Sequence, residues 1–307
     1  MTNVIPQFPN FKKIELADRS AIESFTQDFL PYSDYNFTSL WIWNVKNGMQ
    51  FSQLDKNLIV KFTDYFTGEP FYSFLGHQIS QKALGQLFDF IDGEGQKQTL
   101  RLVPEECIQG IRADQFTIKE DPNNFDYILS IPELMTYGGR SLRGKKNFVN
   151  RFHKLYRSTM NECDLGNPNV QMMIQELFSF WAKQKGFEPE KVDEFLPFQR
   201  LLESAKSFQL VTIGVFVDNQ LIGFSISEVV GMSYALLHFE KADATSFIGI
   251  YPFLRQETAR ALAARGCRYL NLEQDAGLPG LREAKKGYRP CLILKKYTIT
   301  PFRDQIP

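Results

Sequence analysis

The stretch QLVTIGVFVDNQLIGFSISEVVGMSYALLHFEKADATSFIGIYPFLRQETARALAARGCRYLNL, residues 209–272, decides the fold. Apolar β-branched and aromatic runs predict strands at 209–217, 221–229 and 233–239, the first two joined as a hairpin by Asp218-Asn219-Gln220. A helical pattern at 251–265 ends at Gly266, and a strand is predicted at 268–272. Three antiparallel strands, a crossover helix and a parallel strand indicate a mixed sheet.

Two helices precede this stretch and one follows it. Asn167-Pro168 provides an N-cap and a first-turn proline for the first helix, and the second is predicted at 194–207. A helix opened by Pro279 and a strand at 292–297 complete this half. The order of elements resembles that of GNAT-type acyltransferases, which implies that the third and fourth strands splay apart and that the acyl donor lies in the gap.

The first third of the chain repeats this order more weakly. Strands are predicted at 39–45, 57–65, 70–75, 99–103 and 125–130, with a helix at 81–91 before the fourth. We therefore expect an α+β (mixed α/β) protein of two tandem GNAT-like domains with mixed, splayed sheets, at 1–135 and 136–307. The alternative is a single α+β domain with an elaborated N-terminal half.

Composition excludes some classes of protein and leaves the partner open. Lys+Arg and Asp+Glu are both 35 in 307 residues, so only local clustering of charge can indicate nucleic acid or membrane binding. A hydrophobic fraction of 43% excludes a disordered chain. Four scattered cysteines and three histidines predict no metal site. Without a signal-like start or an apolar run of bilayer length, we expect a cytoplasmic protein with no stable membrane insertion.

Residues 134–161 contain no Asp or Glu. A helix from about residue 145 places an apolar side opposite a basic side. The cations of this segment are Arg140, Arg143, Lys145, Lys146, Arg151, Lys154 and Arg157. One interpretation is a solvated face between two domains; the other is an anion-binding face for the phosphates of RNA, a nucleotide cofactor or a lipid headgroup.

Three motifs resemble a known family. Residues 269–290, YLNLEQDAGLPGLREAKKGYRP, resemble the domain-of-unknown-function family grouped with the C-terminal catalytic domain of phosphatidylglycerol lysyltransferases. Residues 31–44, PYSDYNFTSLWIWN, are similar to that family's N-terminal signature, and 142–152, LRGKKNFVNRF, to its middle. The resemblance implies tandem GNAT-like domains, as in Fem-type transferases, whose members move an aminoacyl group from charged tRNA to a lipid or peptidoglycan amine or hydroxyl. The lysyltransferases carry a membrane-spanning portion that this chain lacks, which disfavours a lipid acceptor.

Candidate catalytic residues follow the strands beside the expected gap. Glu240 ends the third strand and is a candidate base, and Glu273 and Asp275 follow the next strand with alternating spacing. Tyr288 lies where several acyltransferases of this fold keep a tyrosine acid. Each residue also has a structural interpretation: strand-end carboxylates, a loop cap and a packing tyrosine. Residue His238, in an apolar strand, is expected to be a core histidine.

Further residues are candidates for anion binding near this gap. They are Lys285, Lys286, Arg289 and Tyr251. The three cations also suit the C-terminus of a solvated helix. Before the crossover helix, the loop FEKADATSFIGIYP (239–252) has one glycine and lacks the Arg/Gln-x-x-Gly-x-Gly/Ala cradle for pyrophosphate, which disfavours coenzyme A.

We therefore expect transfer of an aminoacyl group from aminoacyl-tRNA to an amine or hydroxyl, with no required cofactor. One alternative is an N-acyltransferase that uses a coenzyme A thioester, and another is a non-catalytic tandem GNAT module that binds RNA or a phosphorylated ligand. The expected partners are tRNA or another polyanion at the basic helix, and an acceptor that is a small molecule, lipid headgroup or peptide.

Overall fold

The computed structural model describes residues 4–65 and 67–302. The helices are α1 (Arg19–Thr26), α2 (Phe37–Ile42), α3 (Gln81–Gly93), α4 (Ile131–Thr136), α5 (Arg143–Leu155), α6 (Pro168–Gln184), α7 (Phe195–Glu203), α8 (Ile250–Ala263) and α9 (Pro279–Lys286). The strands are β1 (Lys12–Lys13), β2 (Gln50–Leu54), β3 (Asn57–Thr63), β4 (Pro70–Leu75), β5 (Leu100–Pro104), β6 (Phe116–Glu120), β7 (Asp126–Ser130), β8 (Ser158–Glu162), β9 (Leu210–Val217), β10 (Gln220–Val230), β11 (Tyr234–Ala242), β12 (Tyr269–Asn271), β13 (Leu292–Leu294) and β14 (Lys296–Pro301).

The first compact unit contains the described residues up to Asp126, Gln274–Leu278 and those from Leu294 onward. Its sheet has the order β1-β2-β3-β4-β5-β14-β6. Strands β2, β3 and β4 pair antiparallel, and β5 runs parallel to β4. The parallel pair requires a crossover, which α3 supplies. Helix α3 begins after Ser80, whose side chain accepts a hydrogen bond from the Ala83 amide at 3.0 Å.

The second unit contains Tyr127–Glu273 and Pro279–Ile293. Its sheet has the order β13-β7-β12-β11-β10-β9-β8. Strands β8 to β11 pair antiparallel in sequence, β12 runs parallel to β11, and α8 is the crossover. Helix α5 packs on α8, where the Phe152 and Phe253 rings stack with centroids 4.5 Å apart. Gly249, at φ +90°, permits this approach, because a Cβ there would lie 2.4 Å from the Phe148 carbonyl oxygen.

One strand of each sheet comes from a distant part of the chain. Strand β14, the last of the described strands, lies between β5 and β6 and pairs antiparallel with both. Strand β7 directly follows β6 in sequence, yet it lies in the other sheet and pairs antiparallel with β12. We call β7 and β14 the exchanged strands. With them in place, the two sheets have the same order of strand positions.

The predicted fold class, a mixed α/β protein with two GNAT-like units, is confirmed. The domain limits differ from 1–135 and 136–307, because the chain changes unit after Asp126 and residues from Leu294 onward return to the first unit. The strand predicted at 39–45 is largely helix α2, because the Asn36 side chain accepts a hydrogen bond from the Ser39 amide and caps a helix. Among the described residues, no helix combines the length and apolar character needed to cross a bilayer.

Candidate functional site

The gap between β11 and β12 begins where their pairing stops. The parallel ladder ends at the Leu236–Asn271 pair, whereas β11 continues to Ala242. Just beyond this level the β10–β11 ladder shifts register and leaves His238 as an extra residue. A β-bulge of this kind bends its strand and re-aims a side chain. The parallel pairing thus stops well before the end of β11, as expected for strands that splay apart, and the bulge lies just past this point.

The bulged residue, His238, is a buried ion-pair centre. Its Nδ1 lies 3.1 Å from Glu273 Oε1, and its Nε2 lies 3.5 Å from Glu228 Oε2. Burial lowers the pKa of His238. The contacts with Glu228 and Glu273 raise this pKa by more than burial lowers it, so the net pKa is about 9. His238 is buried, as predicted for a core histidine. It is also an imidazolium at neutral pH that holds Glu273 in place.

Glu240 is paired with Arg255 of α8. Arg255 Nε donates to Glu240 Oε1 at 3.2 Å, and Arg255 Nη2 donates to Glu240 Oε2. Burial lowers the pKa of Arg255 because it disfavours the charged form. The contact with Glu240 raises the pKa of Arg255 by more, so that it lies above its ordinary value. Because both oxygens of Glu240 accept from one guanidinium, the geometry favours an anchor for Arg255 over the base predicted from the sequence.

Tyr288 lies between two cations. Arg255 Cζ and Lys145 Nζ are each 4.1 Å from the centroid of its ring. The residue is 5% exposed, and burial raises the pKa of Tyr288 to about 12 although Arg255 lowers it. The phenol is therefore protonated at neutral pH and can donate a proton, which fits the acid role predicted for Tyr288.

The loop before α8 uses most of its amides internally. The Asp243 carboxylate accepts from the Ser246 amide at 3.0 Å and the Thr245 amide at 3.2 Å. The Tyr156 hydroxyl accepts from the Ile248 amide at 3.2 Å, and the Phe247 amide donates to the Asp243 carbonyl. A pyrophosphate cradle needs such amides to be free. At this position, therefore, a carboxylate and a phenol of the protein occupy the donors.

Tyr251, one of the predicted anion-binding residues, lies in the first turn of α8. Burial raises its pKa, and the Glu240 carboxylate raises it further, whereas a hydrogen bond with Trp181 lowers it. The side chain is half-buried and packs against the core of the second unit. Its anion-binding role remains a prediction.

Helix α5 carries the basic face predicted from the sequence. Five cations on this helix or just after it are exposed, and none of them forms an ion pair with another described residue. We call these residues the outward cations: Arg143, Lys146, Arg151, Lys154 and Arg157. Two apolar residues of the same helix, Phe148 and Leu155, are 48% and 51% exposed. Lys145 differs from the outward cations because it turns toward Tyr288.

The two carboxylates that follow β12 belong to different compact units. Glu273 belongs to the second unit, whereas Asp275 belongs to the first, is fully buried and accepts from the Gly277 amide at 2.8 Å. Glu273 has φ +60° and Ala276 φ +50°, so the backbone is not extended there. Alternating side-chain directions hold only for extended backbone, so the two-residue spacing does not by itself orient Glu273 and Asp275 alike, and their catalytic roles remain predictions.

The cations of α9 and the turn after it have different surroundings. Lys285 Nζ donates to the carbonyl oxygens of Leu272 at 2.6 Å and Glu273 at 3.1 Å, so it fixes the backbone that carries Glu273. Lys286 and Arg289 are exposed. Their anion-binding role remains a prediction.

In the first unit, Tyr35 contacts both of the equivalent strands, β4 and β5. The Tyr35 hydroxyl lies 2.5 Å from Ser73 Oγ and donates to the Phe74 carbonyl at 3.0 Å, and it lies 3.5 Å from the Leu102 carbonyl of β5. Its side chain is fully buried. The strands of the first unit that correspond to β11 and β12 are therefore joined by a buried phenol.

Sequence reasoning missed a buried charge cluster in the first unit. Lys296 Nζ lies 2.7 Å from Asp126 Oδ1 and also forms an ion pair with Asp34. Ser33 donates to Asp126 through its amide and its hydroxyl, each at 2.7 Å. Ser33 and Asp34 belong to the 31–44 motif, which was a usable signal. Arg255 was also missed, since it lies within an apolar helix pattern and pairs with a residue 15 positions away.

The comparison with known families decides the relationship. The family described as phosphatidylglycerol lysyltransferase, C-terminal, matches residues 27–300. The chain belongs to this family. A curated relative, an uncharacterised protein of Mycoplasmoides gallisepticum, is 23% identical over 187 residues, which cover 59% of this chain and 57% of that protein. The match thus spans a little over half the length of the curated relative.

Several solved structures share the fold of this chain. A conserved protein of unknown function from Bacteroides thetaiotaomicron has a TM-score of 0.84 at 26% identity, over 97% of this chain and 100% of that chain. The C-terminal domain of a putative lysylphosphatidylglycerol synthetase from Agrobacterium fabrum has a TM-score of 0.62 at 13% identity, over 93% and 90%. FemX has a TM-score of 0.57 at 11% identity, over 94% and 96%. The family and its fold support an acyltransferase-type function.

Proposed function

We propose that this member of the family transfers an aminoacyl group from aminoacyl-tRNA to an amine or hydroxyl acceptor in the β11–β12 gap. The observation that carries the proposal is Tyr288, a protonated phenol held between Arg255 and Lys145. Helix α5, which supplies Lys145, also presents the outward cations. A polyanionic donor therefore has a binding surface on the same helix that contacts the acid.

The choice of donor rests on the loop before α8. Its amides at Thr245, Ser246 and Ile248 already have acceptors within the chain, so a coenzyme A pyrophosphate would have to displace Asp243 and Tyr156. Displacing a satisfied carboxylate in favour of another anion costs hydrogen bonds and adds like-charge repulsion. These contacts support aminoacyl-tRNA over an acyl-CoA donor.

The reaction needs two proton transfers, one away from the attacking acceptor and one to the leaving ribose oxygen. The acceptor nitrogen or oxygen attacks the ester carbonyl, and a new C–N or C–O bond forms as the bond to the ribose oxygen breaks. Glu273, 17% exposed and held by His238, takes the acceptor proton, and Tyr288 donates a proton to the ribose oxygen. Solvent returns the proton from Glu273 to Tyr288, so the cycle is balanced.

The test is a transfer assay with a pool of charged tRNAs, with ethanolamine and glycerol as generic amine and hydroxyl acceptors. Tyr288→Phe removes the donated proton and should slow transfer by about 10²- to 10⁴-fold. Tyr269→Phe, a tyrosine of β12 that stacks on Tyr234, is the matched control and should retain activity.

Two results would contradict the proposal. One is transfer that depends on the protein with acetyl-CoA but not with charged tRNA, which would favour the N-acyltransferase. The other is binding of tRNA with no loss of its ester over the uncatalysed rate, which would favour a non-catalytic RNA-binding module.

A further inference from the structure

Helix α5 has two chemically different basic sides. The outward cations are exposed, whereas Lys145 lies on the side of α5 that faces the rest of the second unit. Its Nζ is 4.1 Å from the Tyr288 ring centroid, and it would be 3.7 Å from a Cβ placed on Gly287. Lys145 is therefore part of the Tyr288 cluster and not of the outer face.

The charges of this cluster do not balance. Lys145 and Arg255 contribute two positive charges, and Glu240 contributes one negative charge that Arg255 binds through both oxygens. Within the described residues, Lys145 has no carboxylate within ion-pair distance. Burial and Arg255 lower the pKa of Lys145, while Glu240 raises it. One positive charge therefore remains uncompensated in a half-buried place, where an unpaired charge is costly.

We infer that Lys145 binds one phosphate group of the RNA donor beside Tyr288, at a subsite separate from the outward cations. The inference rests on the proposed function for the identity of the donor. A lysine ammonium is a compact point charge suited to a single phosphate. RNA is the favoured source because the outward cations continue from the same helix and can bind the neighbouring phosphates.

The test measures binding to the full chain by calorimetric titration with the uncharged trinucleotide CpCpA. Lys145→Met should weaken its binding by about 10- to 100-fold, because one charge-assisted contact is lost. Lys145→Arg should restore most of the affinity. Lys82→Met, which removes an exposed cation of the first unit, is the matched control and should change the affinity for this short probe by less than about threefold. Thermal unfolding of each variant verifies that it is folded.

Three outcomes are decisive. Equal affinity of wild type and Lys145→Met for CpCpA overturns the inference. Binding of glycerophosphoglycerol, but not CpCpA, in a Lys145-dependent manner also overturns it and assigns the subsite to a lipid headgroup. Lys145-dependent CpCpA binding supports it even if no aminoacyl transfer occurs, so failure of the proposed function is distinguishable from failure of the subsite.

Discussion

At the scale of single residues, His238 links strand geometry to chemistry. The register shift that leaves it without a cross-strand partner also places its ring between Glu228 and Glu273. A histidine in an unbroken ladder would follow the alternation of the strand and would not be re-aimed by a bulge. The bulge thus supplies the imidazolium that orients Glu273.

This arrangement predicts a pH dependence of stability. The folded pKa of His238 is about 9, above the ordinary value of 6.5, so its contribution is complete below about pH 6.5 and is lost as pH rises through about 9. We expect the free energy of unfolding to fall by roughly 3 kcal/mol over this window. Urea unfolding at several pH values measures it, and His238→Gln should flatten the slope.

The control for this experiment is His153→Gln, which replaces an exposed histidine of α5. It should leave the slope of stability against pH as in the wild type. A wild-type protein whose stability stays constant between pH 6.5 and 8.5, or a His238→Gln variant with the wild-type slope, would show that His238 is not a buried imidazolium.

At the scale of elements, α5 is predicted to control how binding of RNA depends on salt. Each phosphate contact releases counterions, with a slope of about 0.7–0.9 in log affinity against log salt. Changing Lys146, Lys154 and Arg157 together to Gln should reduce that slope by roughly 2–3 and spare the fold, because these side chains are exposed. Filter binding of tRNA across a salt series measures the effect.

A control variant removes three positive charges, as the first triple variant does, but from a different surface. Lys82, Lys97 and Lys119 are exposed cations of the first unit, and replacing these three with Gln should leave the slope close to wild type. If both triple variants lower the slope equally, the outward cations have no special role, and general charge explains the binding.

Elements were predictable where their signals are local. The Asn167 cap with Pro168, the β9–β10 hairpin and the end of α8 before Gly266 are short-range patterns, and the structure contains all three. Helix α2 was misread because Trp and Ile favour strands, while the cap at Asn36 decides the local structure. The Tyr288 cluster was only partly predictable, since Lys145 and Arg255 reach it through packing between distant segments.

At the scale of the whole molecule, the exchanged strands explain why the domain limits could not be derived from sequence order. Strand β14 carries Lys296, and this buried lysine joins β14 to Asp126 and Asp34. Burial alone would lower the pKa of Lys296, but the two carboxylates raise it above its ordinary value. The cluster fixes the returning strand in the first sheet, and no local pattern announces it.

Removing this lysine should destabilise the first unit. Lys296→Met leaves Asp34 and Asp126 buried without their cation, which should cost about 3–5 kcal/mol. Lys295→Met, which breaks the exposed pair with Glu120, is the adjacent control and should cost at most about 1 kcal/mol. Urea unfolding in a Trp181→Phe background reports on the first unit, because the remaining tryptophans, Trp41 and Trp43, lie there. Equal midpoints for the two lysine variants would contradict the role of the cluster.

The return of β14 has a consequence for synthesis on the ribosome. Strands β5 and β6 emerge early, but the strand that pairs with both is translated only after the second unit. At about 5–20 residues per second, the interval between residues 120 and 296 lasts roughly 10–40 s. During that time the nascent chain presents two unpaired strand edges, which are templates for aggregation. The first sheet is therefore completed only after the second unit has been translated, even though its first strands are made first.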